Sequence, residues 1–269
     1  MKYICFAIFW GTLSCTPLFA GEKQKIALLF LVTEDHHQDR LWAEALRKQG
    51  DKFNVYVHPK GKLRNPFFAL NIVQGRAETS WMYHLGAWHH LLRCALENKS
   101  NQRFIFLSES CVPLRSLDHI YKTLMAEKKS FVNYSKPWWS AEEQREVREL
   151  PAEHRWVNSE WVALNRKHAQ MMIEDSLILP LVEKHDHSCE AYASCLFSFY
   201  NCLEGHVVNK PITYVDFILG GDSHPYIFKE ATPANIEMLR KAKKEGFLFA
   251  RKIARSFPTQ TLLEIINER

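Results

Sequence analysis

The chain has 269 residues, 46% of them hydrophobic and 13% aromatic, which is enough apolar side chain for a substantial core in one large domain. No repeat or low-complexity tract is visible, so array, fibrous and disordered classes are excluded. Lys and Arg total 35 against 30 Asp and Glu, a net charge of +5 that gives a mild bias toward anionic ligands and no polyanion-binding stretch that would point to nucleic acid.

Lys2 precedes an apolar run from Tyr3 to Trp10, and Gly11 to Phe19 lead to Ala20-Gly21-Glu22-Lys23. A charged start, an apolar centre and a small-residue exit predict an export signal or membrane anchor over residues 1–20. The remainder, residues 21–269, is then the functional domain, destined for the secretory pathway or a membrane surface. Two of the seven cysteines, Cys5 and Cys15, fall in this leader, and the five in the body do not predict a disulfide framework.

Lys25 to Val32 is a continuous apolar run and predicts a buried parallel strand. A polar loop, Thr33-Glu34-Asp35-His36-His37, leaves its carboxyl end. Helical spacing at Leu41 to Leu46, a stop at Gly50 and a second strand over Phe53 to His58 complete a strand, helix, strand opening. Such a sheet places ligands beyond the carboxyl ends of its strands. Asn71-Ile72-Val73 predicts a short third strand, His84 to Leu96 a helix, and Phe104 to Leu107 a buried strand running into Ser108-Glu109-Ser110. A helix opens at Ser116, a strand is expected at Phe131 to Tyr134, and residues 137–153 read as a surface excursion. Ser159 to Arg166 precede a helix to about Ile173, and Thr232-Pro233 caps a final helix bearing most of a basic cluster that includes Arg240, Lys241, Lys243 and Lys244. That cluster reads either as a solvated face or as an anion site.

The stretch from Ser188 to Phe228 organises the chain. Tyr192, Cys195, Leu196, Phe199 and Leu203 recur at helical spacing, with Glu190, Ser194 and Asn201 opposite, so Glu190 is expected in a first helical turn facing away from the core. A carboxylate beside unpaired helix N–H groups is held in the ionised form a proton acceptor needs. Tyr214 to Phe217 predicts a strand, and Gly220-Gly221 a turn walling a cleft. A rival reading takes His185, Asp186, His187 and Cys189 as zinc-type ligands, although no paired segment stands at a recognised spacing.

Several motifs stand in one order: Tyr56-Val57-His58-Pro59, Leu107-Ser108-Glu109-Ser110-Cys111-Val112-Pro113-Leu114, Ser159-Glu160-Trp161 with Asn165-Arg166, and Tyr214-Val215-Asp216 before Gly220-Gly221 and His224-Pro225. Over roughly residues 24–255 the chain resembles the Core-2/I-branching beta-1,6-N-acetylglucosaminyltransferases, glycosyltransferase family 14. The resemblance implies an α/β fold similar to GT-A, a Rossmann-like mixed sheet flanked by helices in a single catalytic domain. It further implies inverting transfer from a UDP-sugar, with N-acetylglucosamine the default, to a glycan hydroxyl, and no metal or other cofactor.

The family base is the Glu of an Asp-Glu-His-Tyr motif, which matches Cys189-Glu190-Ala191-Tyr192 here, with both residues flanking the Glu replaced. Arg251 and Lys252 match a basic segment that takes the place of a metal at the donor diphosphate. Thr33, His58, Ser108 and Glu109 are expected around the donor, and Glu160, Trp161, Tyr214 and Asp216 around the acceptor, with the two rings stacking on sugar. The alternative is a protein of the same fold that binds sugar or nucleotide-sugar without turning it over.

Overall fold

The computed structural model describes residues 23–47, 49–80, 82–137, 147–221 and 224–268. The leader expected over residues 1–20 lies outside the described residues, as do Asp222 and most of the excursion at 137–153. No described helix is long and apolar enough to cross a membrane.

β1 (Lys25–Val32) is almost wholly buried, and the polar loop after it leads into α1 (Asp39–Leu46). β2 (Phe53–Pro59) pairs parallel to β1 and is followed by α2 (Pro66–Ala69), whose cap Asn65 accepts from the N–H of Phe67 at 3.0 Å. The strand expected at Asn71–Val73 is instead one isolated bridge, Val57 to Ile72. The preceding turn is spent on α2, Asn71 bonds back to the Phe67 carbonyl, and only one residue is left to pair. α3 (Leu85–Glu97) buries Trp88, Leu91 and Leu92, and leads into the central strand β3 (Asn101–Ser108). β4 (Val112–Pro113) and α4 (Leu117–Ala126) follow, the helix capped by Ser116 as expected.

The strand expected across Phe131–Tyr134 divides into β5 (Ser130–Phe131) and β6 (Tyr134–Ser135), which belong to different sheets, with Val132 buried at the break. β7 (Val157–Asn158) pairs with β6, and β8 (Ala163–Asn165) runs antiparallel to β3 before α5 (Arg166–Glu174). α6 (Leu179–Val182), α7 (Tyr192–Phe199), β9 (Val207–Val208) and β10 (Thr213–Val215) lead to α8 (Pro233–Lys244), β11 (Phe249–Arg251) and α9 (Thr259–Asn267). The helix capped by Thr232 is therefore not the last.

Six strands form one mixed sheet in the order β2-β1-β3-β8-β5-β9, packed by α3, α4 and α5. A second sheet, β10-β11-β4, carries its own apolar cluster of Val112, Phe228, Leu239, Ala250 and Leu262 with Leu41 from α1. Together these make a mixed α/β single domain.

Much of the basic cluster is architectural. Lys243 is buried, and its ammonium donates to the carbonyls of Ile265, Ile266 and Glu268, closing the end of α9. Arg240 pairs with Glu268 in a two-pronged contact, and Lys241 stays exposed.

Candidate active site

Strand register gathers the first candidates. Leu31 of β1 pairs with His58 of β2 and Ser108 of β3, so these stand level at the carboxyl ends of parallel strands, with Thr33 and Glu109 just beyond. Because β8 is antiparallel to β3, the residues before it, Glu160 and Trp161, lie at the same edge; the Val162 carbonyl accepts from Phe106 N–H at 3.2 Å. β11 is antiparallel to β4 and brings Arg251 beside Cys111, and Ile253 donates to the Ser110 carbonyl at 3.0 Å. Four of the expected residues, Glu109, Glu160, Arg251 and Lys252, thus share one electrostatic neighbourhood.

Glu160 is its centre. One carboxylate oxygen accepts from Trp88 Nε1 at 2.7 Å and lies 2.8 Å from His84 Nε2. Burial alone would raise the carboxyl, but His84, Arg251 and Trp88 outweigh it and hold the group below its ordinary value. For His84, burial disfavours the cation, yet Glu160 and the Ser80 backbone outweigh it and raise the imidazole above its ordinary value. The Arg251 guanidinium lies 4.0 Å over the Trp161 ring. Trp161 is 8% exposed, so this ring serves Arg251. Lys252 is half-buried, and burial followed by Arg251 lowers its affinity for a proton, with Glu109 and Glu160 opposing.

Glu190 reaches this neighbourhood by a different local structure from the one expected. It ends a 3-10 turn, Ser188–Glu190, entered through left-handed His187 at φ 55°, and is separated from the first residue of α7, Tyr192, by Ala191. It is therefore outside the first helical turn, and the helix-dipole argument does not apply. Nor does α7 have a polar face there: Ser194 is fully buried, because Asn158 Oδ1 accepts from its N–H at 3.0 Å and its hydroxyl at 2.9 Å. Asn158 Nδ2 also donates to the Cys189 carbonyl at 3.2 Å, clamping the turn that bears Glu190. Cys189 Sγ is 3.3 Å from His84 Nε2, and Glu190 acts electrostatically on both His84 and Cys189.

The remaining candidates make their contacts outside the Glu160 cluster. His58 is buried, with Nε2 accepting from Ala77 N–H at 2.9 Å and burial lowering its pKa. Ser108 is buried against Ser110 and Cys111, and Thr33 is exposed with its carbonyl accepting from Gly61. Tyr214 and Asp216 bond to one another at 2.9 Å, and Tyr214 packs on Phe228 and Phe247. Tyr214 pairs in register with Ala250, whereas Arg251 pairs with Val215, which puts Tyr214 and Arg251 on opposite faces of the small sheet. Gly220 of the expected turn does wall an open groove, with His224, Pro225, Tyr226 and Lys229, but neither Gly221 nor Glu190 is among its lining residues. Gly220 is required there, since a Cβ would stand 1.9 Å from the His224 carbonyl.

Of the rival ligands, His185 pairs with Glu149 at 2.9 Å and Asp186 with Tyr83, while Cys189 faces the cluster. His84, Trp88 and Asn158 are the residues that sequence reasoning missed. Their only signal is polar tips on rings or amides at otherwise buried positions.

The Core-2/I-Branching enzyme family model matches residues 26–241. The chain belongs to this family. It is also similar to Glycosyltransferase BC10 of Oryza sativa subsp. japonica, with 26% identity over 307 aligned positions that cover 89% of this chain and 76% of that protein. Membership makes the chain a glycosyltransferase, with a nucleotide-sugar donor and a glycan acceptor. The family match spans His84, Glu160 and Glu190 and stops before Arg251 and Lys252.

Proposed function

We propose that this Core-2/I-branching enzyme transfers a sugar, N-acetylglucosamine by default, from a UDP-sugar to a glycan hydroxyl with inversion and without a metal, on a fold similar to GT-A. The observation that supports this is the convergence of Arg251 and Lys252 on the strand edge formed by Ser108-Glu109-Ser110. In nucleotide-sugar transferases of this layout, that strand end commonly carries paired aspartates for a metal, and here two basic side chains supply positive charge instead. Inverting transfer is a single displacement. Glu190 takes the proton of the attacking hydroxyl while Lys252 and Arg251 stabilise the charge developing on the departing diphosphate.

Asn158 fixes the Glu190 turn, and Arg251 stacks over Trp161 within the field of Glu160, so both charge centres are set before substrate arrives. UDP affinity measured calorimetrically in EDTA is expected to equal that in manganese. An affinity that collapses in EDTA and returns with manganese overturns the metal-free mechanism.

A further inference from the structure

His84 Nε2, a Glu160 carboxylate oxygen and Cys189 Sγ all lie within 4.8 Å of one another, on three chain segments that meet only through folding. We propose that these three side chains form a binding site for a zinc-class divalent cation, distinct from the diphosphate-handling charge of Arg251 and Lys252.

Chemistry, spacing and an adjoining cavity support this site. The donor set is one nitrogen, one oxygen and one sulfur, the mixture that zinc accepts and magnesium or calcium does not. Nε2 stands 2.8 Å from the carboxylate oxygen and 3.3 Å from the sulfur, slightly closer than the edges of a zinc tetrahedron, so a small opening admits the ion.

Nε2 of the imidazole faces both Glu160 and Cys189. Finally, Glu160 and Cys189 border a cavity of about 10 Å³ that Asn158 also lines, room for the single water that completes a three-ligand site.

Without a metal, the cationic imidazole of His84 bridges to Glu160 through its Nε2 proton and keeps a second proton on Nδ1. Zinc takes the place of the Nε2 proton and of the Cys189 thiol proton. Both protons go to solvent, and the Glu160 carboxylate enters as the anion it already is.

The test is a titration of the metal-stripped full chain with cobalt(II), followed by displacement with zinc(II), in the absence of donor and acceptor. The expected result is one cobalt per chain, with tetrahedral visible bands and a thiolate-to-cobalt charge-transfer band. Cys189→Ser abolishes the charge-transfer band, and His84→Asn weakens binding by more than about 100-fold. Cys94→Ser, altering a cysteine outside the group, leaves the spectrum unchanged. Circular dichroism checks that each variant is folded. Should Cys189→Ser not fold, His84→Asn together with the wild-type charge-transfer band decides the question.

Absence of stoichiometric cobalt binding, or a spectrum that survives both substitutions, overturns the site and leaves His84 and Glu160 as an ion pair. No sugar-nucleotide is present, so this outcome is independent of whether glycosyl transfer requires a metal.

Discussion

Two regions presented themselves as acceptor-binding, Glu160-Trp161 and Tyr214-Val215-Asp216, and the fold treats them differently. The first lies at the carboxyl edge of the central strand, where Glu160 is held ionised between His84, Trp88 and Arg251. The second closes on itself: Asp216 accepts from Tyr214 and from Leu219 N–H at 2.8 Å, while its carbonyl accepts from Tyr226 N–H at 2.6 Å. A carboxylate whose partners all come from its own loop shapes that loop. One whose partners come from distant segments ties those segments into a charge-balanced centre.

The largest effect is expected at Glu190. Glu190→Gln keeps the shape but cannot accept a proton, and turnover is expected to fall by about 10²–10⁴ with donor affinity almost unchanged. Steady-state transfer rates and UDP binding measured on the same preparation check this, and full activity in the variant would move the base elsewhere. Next in size is Lys252→Ala. Loss of a charge-assisted phosphate contact is expected to cost about 1.5–3 kcal/mol of UDP binding, while Lys241→Ala, exposed on α8, leaves it unchanged. Equal small effects would return both lysines to the status of solvated charge.

A smaller effect sharpens the same contrast through pH. The raised pKa of His84 contributes stability that is complete below about 6.5 and is lost as pH rises through its folded-state value. The lowered pKa of Glu160 contributes stability that is complete above about 4.5 and is lost as pH falls through its own folded-state value. Their joint contribution therefore peaks between these limits. The Tm deficit of His84→Asn, roughly 2–4 °C for a loss of about 1 kcal/mol, is expected to shrink as pH is raised above 6.5. A deficit that does not vary with pH would mean that packing, not charge, is what His84 contributes. Smallest is Tyr214→Phe, expected to cost about 1 kcal/mol of stability through the lost bond to Asp216 and to leave turnover within about twofold. A large fall in turnover with unchanged stability would restore Tyr214 to the acceptor site.

Elements built from local signals were legible in the chain. The apolar runs of β1 and β3, the Ser116 and Thr232 caps and the Trp88 face of α3 all follow from neighbours within a turn or two. The site was legible only where a family motif marked it. His84 and Glu160 are 76 positions apart, and His84 and Cys189 are 105 apart; no periodicity encodes such pairs. The local structure around Glu190 was misread for the same reason. Ser194 looks like a polar-face residue until Asn158, from another segment, is placed against it, and a left-handed His187 leaves no hydrophobic pattern. The division of Phe131–Tyr134 between two sheets was likewise set by partners far along the chain.

The alternation along β11 has a consequence for how this chain tolerates length changes. Ala250 belongs to the second apolar cluster, while Arg251 leans on Trp161. Deleting one residue between Gly246 and Phe249 would exchange these two directions, sending a guanidinium into packed hydrocarbon and a methyl group to the site. Removing two would preserve the alternation but delete the buried Leu248 and its backbone bonds to Ile212 and Leu114. The short link after α8 therefore behaves as a parity constraint, and single-residue gaps there are not expected among variants of this enzyme that still transfer sugar.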